Sequence, residues 1–154
     1  MALDRVRAAL SAAGLAAEIQ EFPAGTRTAE DAARALGTTV AQIVKSLVFL
    51  ADGRPVLTLV SGANRVDERK LAAACGAQRV VKADAAAVRA ATGFAIGGVP
   101  PVGHSRPLRT FLDRDLLAHP VVYAAAGTPN TVFPIAPGEL QRICGAEVVD
   151  LRCE

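Results

Sequence analysis

Residues 43–60 read Ile43-Val44-Lys45-Ser46-Leu47-Val48-Phe49-Leu50-Ala51-Asp52-Gly53-Arg54-Pro55-Val56-Leu57-Thr58-Leu59-Val60. The two apolar runs, Ile43 to Leu50 and Pro55 to Val60, flank Asp52-Gly53, a dipeptide suited to the tight turn of a β-hairpin. Both runs are apolar on both faces, which places the pair in the interior of a sheet rather than at its edge. Lys45 breaks the pattern. An ammonium in such a strand needs a partner, a shifted pKa or a ligand. It also stands out because the chain has three lysines against fourteen arginines, so a compact point charge is the unusual choice here. The plain alternative is a lysine at a strand end whose head snorkels to water.

The elements around the hairpin follow from local signals. Asp4 to Ala13 carries Val6, Ala9, Leu10 and Ala13 on one stripe and ends at Gly14, so a helix is expected there. Ala16 to Phe22 alternates like a strand. Thr28-Ala29-Glu30-Asp31 resembles a capping box and opens a helix through Leu36, closed by Gly37. Thr38 or Thr39 caps a short helix containing Val40, Ile43 and Val44. Ser61 to Asn64 is a turn. Asp67 or a neighbour starts a helix through Cys75 that Gly76 stops, Arg79 to Val81 is a short strand, and Asp84 caps a helix through Ala91. Further strands are expected at Arg109–Leu112, Val121–Ala125, Thr131–Ile135 and Glu147–Leu151, with a helix from Pro137 to Cys144. Strand pairs and helices are intermixed without regular alternation. The fold class is therefore α/β of the α+β type, a mixed β-sheet flanked by helices, in a single domain spanning residues 1–154.

Composition narrows the function classes. The chain has 154 residues, 51% of them apolar, which suffices for one core. Aromatics are only 4% and Trp is absent, which argues against a stacking platform for single-stranded nucleic acid. A net charge of +2 is too small for a sequence-independent phosphate binder, so no DNA partner is expected. Arg65, Arg69 and Lys70, like Arg106 and Arg109, read as local basic groups or as solvated faces. Cys75, Cys144 and Cys153 lack metal-ligand or disulfide spacing, so no metal and no cofactor are expected. Free thiols, no secretory leader and no membrane-length apolar run together suggest a cytoplasmic protein with no membrane partner.

Two Gly/Pro segments are candidates for chemistry. Gly93-Phe94-Ala95-Ile96-Gly97-Gly98-Val99-Pro100-Pro101-Val102-Gly103 is too rigid for a linker. Gly97-Gly98 lets backbone amides approach a carbonyl oxygen or phosphate closely; a tight structural turn is the alternative. Ala126-Gly127-Thr128-Pro129-Asn130-Thr131 joins two strands as a hairpin loop, or forms a second pocket wall with Thr128 or Asn130 as a polar contact. No G-x-S-x-G or H-E-x-x-H set appears. His104 is a candidate general base or an ordinary surface histidine, and Cys75 reads as packing.

The strand entry Ile43 to Phe49, the loop Gly93 to Gly103 and the segment Ala125 to Thr131, in that order and spacing, resemble the YbaK/EbsC family, the prolyl-tRNA synthetase-associated or INS-like editing domains. The resemblance covers nearly the whole chain. It implies a freestanding aminoacyl-tRNA deacylase that hydrolyses the ester of mischarged tRNA, with Lys45, Gly98 and Gly127 as catalytic residues. It also implies Ser46, Gly97, Val99, Pro100, Thr128 and Asn130 as substrate-binding residues. The implied partners are the 3′ aminoacyl end of mischarged tRNA and an aminoacyl-tRNA synthetase on which such a domain docks. Asn130 stands where some alanine-editing relatives carry histidine, which speaks against an alanine-only specificity, and the form of the loop Gly93 to Gly103 resembles freestanding members that clear serine, threonine or alanine, with Cys-tRNA(Pro) as the nearest competitor. With no protein nucleophile evident, water is the expected attacker and Lys45 a substrate-positioning cation. The alternative class is a non-catalytic module that binds an aminoacyl or nucleotide-like ligand or docks on a synthetase.

Overall fold

The structure, a computed structural model, describes residues 2–16, 18–22 and 28–153. The described residues form five helices, eight strands and two 3-10 turns. The hairpin forms as its sequence predicts: β2 (Val44–Ala51) pairs antiparallel with β3 (Arg54–Ser61). Asp52 and Gly53 both take positive φ, at 49° and 84°, as the tight turn requires. Asp52 also accepts the N–H groups of Gln78 and Arg79 at 3.0 and 2.9 Å, so one exposed carboxylate closes the hairpin and fastens the start of β4 (Val80–Lys82). These two bonds hold the Asp52 carboxyl below the usual carboxylate range.

The central sheet has the order β4-β2-β3-β5-β8, with β5 at Arg109–Asp113 and β8 at Glu147–Val149. β4 and β3 flank β2 antiparallel, while β5 and β8 continue the sheet in parallel. The hairpin is therefore interior and the sheet is mixed. A second, antiparallel sheet runs β1-β7-β6, made of Gln20–Glu21, Thr131–Ile135 and Val122–Ala125. Sequence periodicity predicts strands but does not divide them between sheets, and this second sheet is a feature only the structure shows. The expected strand 16–22 pairs regularly only at Gln20 and Glu21, both exposed; Ala17 lies outside the described residues.

Three helices end as their glycines dictate. Thr28 caps α2 (Ala29–Leu36) through Asp31, and Gly37 terminates it at φ 70°. Asp67 and Gly76 bound α3 (Glu68–Cys75), and Asp84 and Gly93 bound α4 (Ala85–Thr92). A first helix, α1 (Ala2–Ala12), and a last one, α5 (Pro137–Cys144), complete the set. The short helix expected over Val40 to Val44 stops at Gln42. Tertiary bonds pull the chain straight there: Gly62 N–H donates to Ile43 O at 2.7 Å and Ser61 Oγ to Ala41 O at 2.7 Å. The 3-10 turn Arg114–Ala118 follows Asp113, whose carboxylate accepts the Asp115 N–H.

The faces of β2 divide the core. Val44 and Val48 pack with Leu57 and Leu59 of β3 against Val6, Leu10, Val88, Phe133 and Leu140. Phe49 and Ala51 pack on the opposite face with Val60, Leu71, Phe111 and Leu151. A third cluster, Phe22, Ala32, Ala33, Ile43 and Val132, lies under α2. Among the described residues no helix is long and apolar enough to cross a membrane. Among the sequence-adjacent basic residues, Lys70 pairs with Asp150 at 2.9 Å, while Arg109 pairs with Glu147 at 3.1 Å and lies over Phe111.

Two buried fastenings hold the parts that matter below. Asp113, fully buried, accepts the Ser61 N–H at 3.2 Å and the Asn64 side-chain amide at 2.8 Å, so it fixes the turn after β3. The Gly/Pro loop is tied by two carbonyls. His104 Nε2 donates to Pro100 O at 2.6 Å, because a carbonyl can only accept, and Cys144 Sγ lies 3.5 Å from Pro101 O. His104 is half-buried, edge-on to Phe94. Cys75 packs against the second core cluster as expected, and burial pushes the Cys144 thiol up to about 12.

Asp113→Ala leaves the Ser61 and Asp115 N–H groups without their carboxylate acceptor, while the Asn64 amide keeps Asp115. It is expected to lower stability by about 1–3 kcal/mol per unsatisfied group, read from urea unfolding. Burial holds the pKa of His104 below 6.5, with Arg5 acting in the same direction against the Pro100 carbonyl. The folded chain then binds fewer protons than the unfolded one between those values. Stability from this residue is complete above 6.5 and lost as pH falls through the lower folded-state pKa. His104→Gln should shrink the drop in urea midpoint between about pH 7.5 and pH 5.5.

Candidate functional site

The site begins with a gap in hydrogen bonding. β4 pairs with β2 only at Phe49, Leu50 and Ala51, and Ala83 N–H adds one bond to Val48 O at 3.0 Å. At the other end, a β-bridge between Ile43 and Tyr123 joins β6 to the entry of β2. Between these points no strand among the described residues covers the outer edge of β2. Successive residues of a strand direct their backbone groups to alternate sides. The Leu47 carbonyl faces β3, where Thr58 Oγ donates to it at 3.0 Å, and the Val48 carbonyl faces β4. Ser46 therefore turns its N–H and C=O to the open side.

A cavity of about 440 Å3 fills this gap. Its floor is Ile43 to Val48. Ala29 and Ala32 of α2 form one wall, Ala83 and Val88 another. Ile96, Gly97 and Val99 close it from the Gly/Pro loop, and Ala125, Thr128 and Pro129 from the late loop. Most of the lining is apolar. Ile96, one of two exposed large hydrophobic residues among those described, lies at the rim.

The two loops are set by contact with each other. A Cβ on Gly98 would lie 2.6 Å from the Thr128 carbonyl carbon and 2.8 Å from Pro129 N, so the backbones meet where only glycine fits. The Gly98 N–H donates to Ala95 O at 3.1 Å. Gly97 takes φ 89° with open space beside it. Below, Arg5 donates to Gly93 O at 2.9 Å and its guanidinium sits 4.2 Å above the Phe94 ring. In the late loop Thr128 Oγ meets Thr131 Oγ at 2.7 Å. Asn130 accepts the Phe22 N–H through its backbone oxygen at 2.8 Å. Gly127, at φ 112°, packs its Cα side against Ala2 and Phe94. Among the described residues no protein acceptor meets the N–H of Gly97, Gly127 or Thr128.

Lys45 borders the cavity and donates its ammonium to the Asn64 carbonyl. That carbonyl belongs to the turn fixed by Asp113. Burial pushes the Lys45 pKa below the ordinary lysine value; Glu30 and Asp113 pull it upward, Arg65 and Lys82 downward. Lys82 lines the same cavity and is exposed. Two of the chain's three lysines thus share one cavity, and the pairing of Lys82 with Phe49 across β4 and β2 brings them there.

Of the residues singled out from sequence, Lys45, Ser46, Gly97, Val99 and Thr128 line the cavity together. Gly98, Pro100, Gly127 and Asn130 stand behind it: Gly98 and Gly127 at backbone contacts, Pro100 through His104, Asn130 through Phe22. Sequence reasoning missed Lys82, Ile96 and the α2 wall. The scarcity of lysine was the available signal for Lys82. His104 does not line the cavity, and the described residues contain no cluster able to hold a metal ion.

Comparison with known proteins agrees with this layout. A crystal structure described as a proposed trans-editing enzyme for prolyl tRNA synthetase superposes with a TM-score of 0.94 at 48% identity, covering 99% of this chain and 98% of that one. The proline–tRNA ligase of Nitratidesulfovibrio vulgaris is 38% identical over 102 residues, 66% of this chain but only 18% of the ligase. A proposed Cys-tRNA(Pro)/Cys-tRNA(Cys) deacylase of Enterococcus faecalis, EbsC, is 26% identical over 125 residues, 80% of this chain and 76% of that protein. The profile of the aminoacyl-tRNA editing domain matches residues 23–143. That match takes in the β2 floor, α2 and both loops, and the chain belongs to the aminoacyl-tRNA editing domain family.

Proposed function

We propose that the cavity receives the 3′ aminoacyl end of a mischarged tRNA and hydrolyses its ester. The observation that carries this reading is the desolvated ammonium of Lys45 at the one open stretch of β2, opposite two loops that offer unspent backbone N–H groups. Water adds to the ester carbonyl carbon, the bond to the ribose oxygen breaks, and that oxygen takes up a proton. The products are a free amino acid and a tRNA with both terminal hydroxyls restored.

Each group then has a task. Lys45, held by Asn64, places a positive charge where the carbonyl oxygen becomes anionic or where the terminal nucleotide lies. The N–H groups of Gly97 and Thr128, both lining the cavity, supply donors to the same oxygen. Gly98 keeps the two loops in contact so that those donors converge. Exposed Lys82 meets backbone phosphate at the rim, and Ile96 covers an apolar face of the ligand. The attacking water is guided by the neighbouring ribose hydroxyl of the substrate, since an aminoacyl ester is already activated and positioning supplies much of the rate. The relationship to proline–tRNA ligases supports tRNA(Pro) as the carrier.

Incubation with a panel of mischarged tRNAs is the direct test, and release of no amino acid at high enzyme concentration refutes the reading. A binding module would instead protect the ester. Lys45→Ala is expected to lower deacylation on the order of a hundredfold while the protein stays folded by circular dichroism. With the spontaneous reaction subtracted, the wild-type rate should fall as pH rises through the lowered Lys45 pKa, and Lys45→Arg should not show that limb. Gly98→Ala should force the loops apart and reduce kcat/KM by about tenfold or more, with KM for the aminoacyl-tRNA rising.

A further inference from the structure

The carbonyl that holds Lys45 is aimed by the side chain of its own residue. Asn64 O accepts the Lys45 ammonium. The Asn64 side-chain amide nitrogen donates to Asp113 Oδ2 and to Asp115 Oδ2, each at 2.8 Å. Ionised carboxylates only accept, so the amide fits between them in one orientation. The main chain of the turn is spent as well. Asn64 N–H donates to Ser61 O at 2.9 Å, Gly62 N–H to Ile43 O at 2.7 Å, and Ala63 N–H to Ser61 Oγ at 3.3 Å. The Asn64 carbonyl is thus fixed by bonds from its own N–H and from its own side chain.

Few residue types could do this in the same space. Aspartate would bring a third carboxylate to the pair, serine has one hydrogen for two acceptors, and alanine has none. Without the amide, Asp113 keeps the Ser61 and Asp115 N–H groups. Asp115 then keeps, among the described residues, a longer contact with Arg152 at 3.6 Å. Asn64 does not line the cavity, so it reaches a ligand only through Lys45. A lysine head on its flexible four-carbon stem needs such an anchor if it is to meet a reacting atom in one place.

We infer that Asn64 is a positioning residue of this site: by bridging Asp113 and Asp115, its side chain aims its own main-chain carbonyl at Lys45 and so fixes the ammonium at the cavity wall. This rests on the deacylase reading above.

The experiment pairs deacylation kinetics with a titration that needs no substrate. The chain has three lysines, so each can be followed by NMR of its Cε and Nζ signals, with Lys45 assigned by its loss in Lys45→Ala. Asn64→Ala should move the Lys45 titration to lower pH, because a partly desolvated ammonium loses its acceptor, and should leave that of Lys82 in place. On mischarged tRNA its kcat should fall about tenfold with KM little changed. In a Lys45→Ala background the same substitution should cost nothing further. Asp115→Ala removes one of the two acceptors at a partly exposed carboxylate; it should act in the same direction, more weakly, and serves if Asn64→Ala does not fold. A Lys45 titration that stays in place in the folded variant, or an equal loss of kcat with and without Lys45, overturns this inference alone. Hydrolysis of no ester overturns the deacylase reading, and the titration then still decides whether Asn64 aims Lys45.

Discussion

Strand β2 is hydrogen-bonded along the whole of its β3 side and along only part of the other. That asymmetry organises the molecule. A fully paired interior strand would leave no room for a ligand, and a free edge would invite pairing with another chain. Here β4 and β6 each cover one end, and the stretch between them opens into a cavity roofed by α2 and the two Gly/Pro loops. The two sheets part at this point, so the site is a consequence of topology before it is a consequence of side chains.

The fastening of Lys45 shows how the scaffold carries a costly group. Its ammonium is partly taken out of water, and its partner is a backbone carbonyl rather than a carboxylate. The compensating negative charge sits one step back, on Glu30 and on Asp113, which holds the turn that presents the carbonyl. The lysine is therefore directed by a neutral carbonyl rather than by a direct ion pair. An ammonium satisfied by a direct carboxylate would have less field left for a ligand.

Much of this was legible from local sequence. Asp52-Gly53, the caps Thr28, Asp67 and Asp84, and the stops Gly37 and Gly76 each act within a few residues, and the elements they bound match their signals. The oddness of Lys45 and the two Gly/Pro loops was visible for the same reason. What was hidden depends on long-range pairing. The division into two sheets, the truncated pairing of β4 and the placing of Lys82 across from Phe49 leave no mark in periodicity. The partner of Lys45 is a main-chain oxygen, which every residue has. The helix expected over Val40 to Val44 failed because bonds from Gly62 and Ser61, about twenty residues on, override local preference.

The contact between Gly98 and the Thr128–Pro129 backbone has a consequence for how such a cavity diverges among relatives. Main chain against main chain is a hard stop that side-chain replacement cannot relax. The spacing of the two loops is thus fixed by backbone, and what remains adjustable in the cavity is the set of side chains that face it, on β2, on α2 and on the loops themselves.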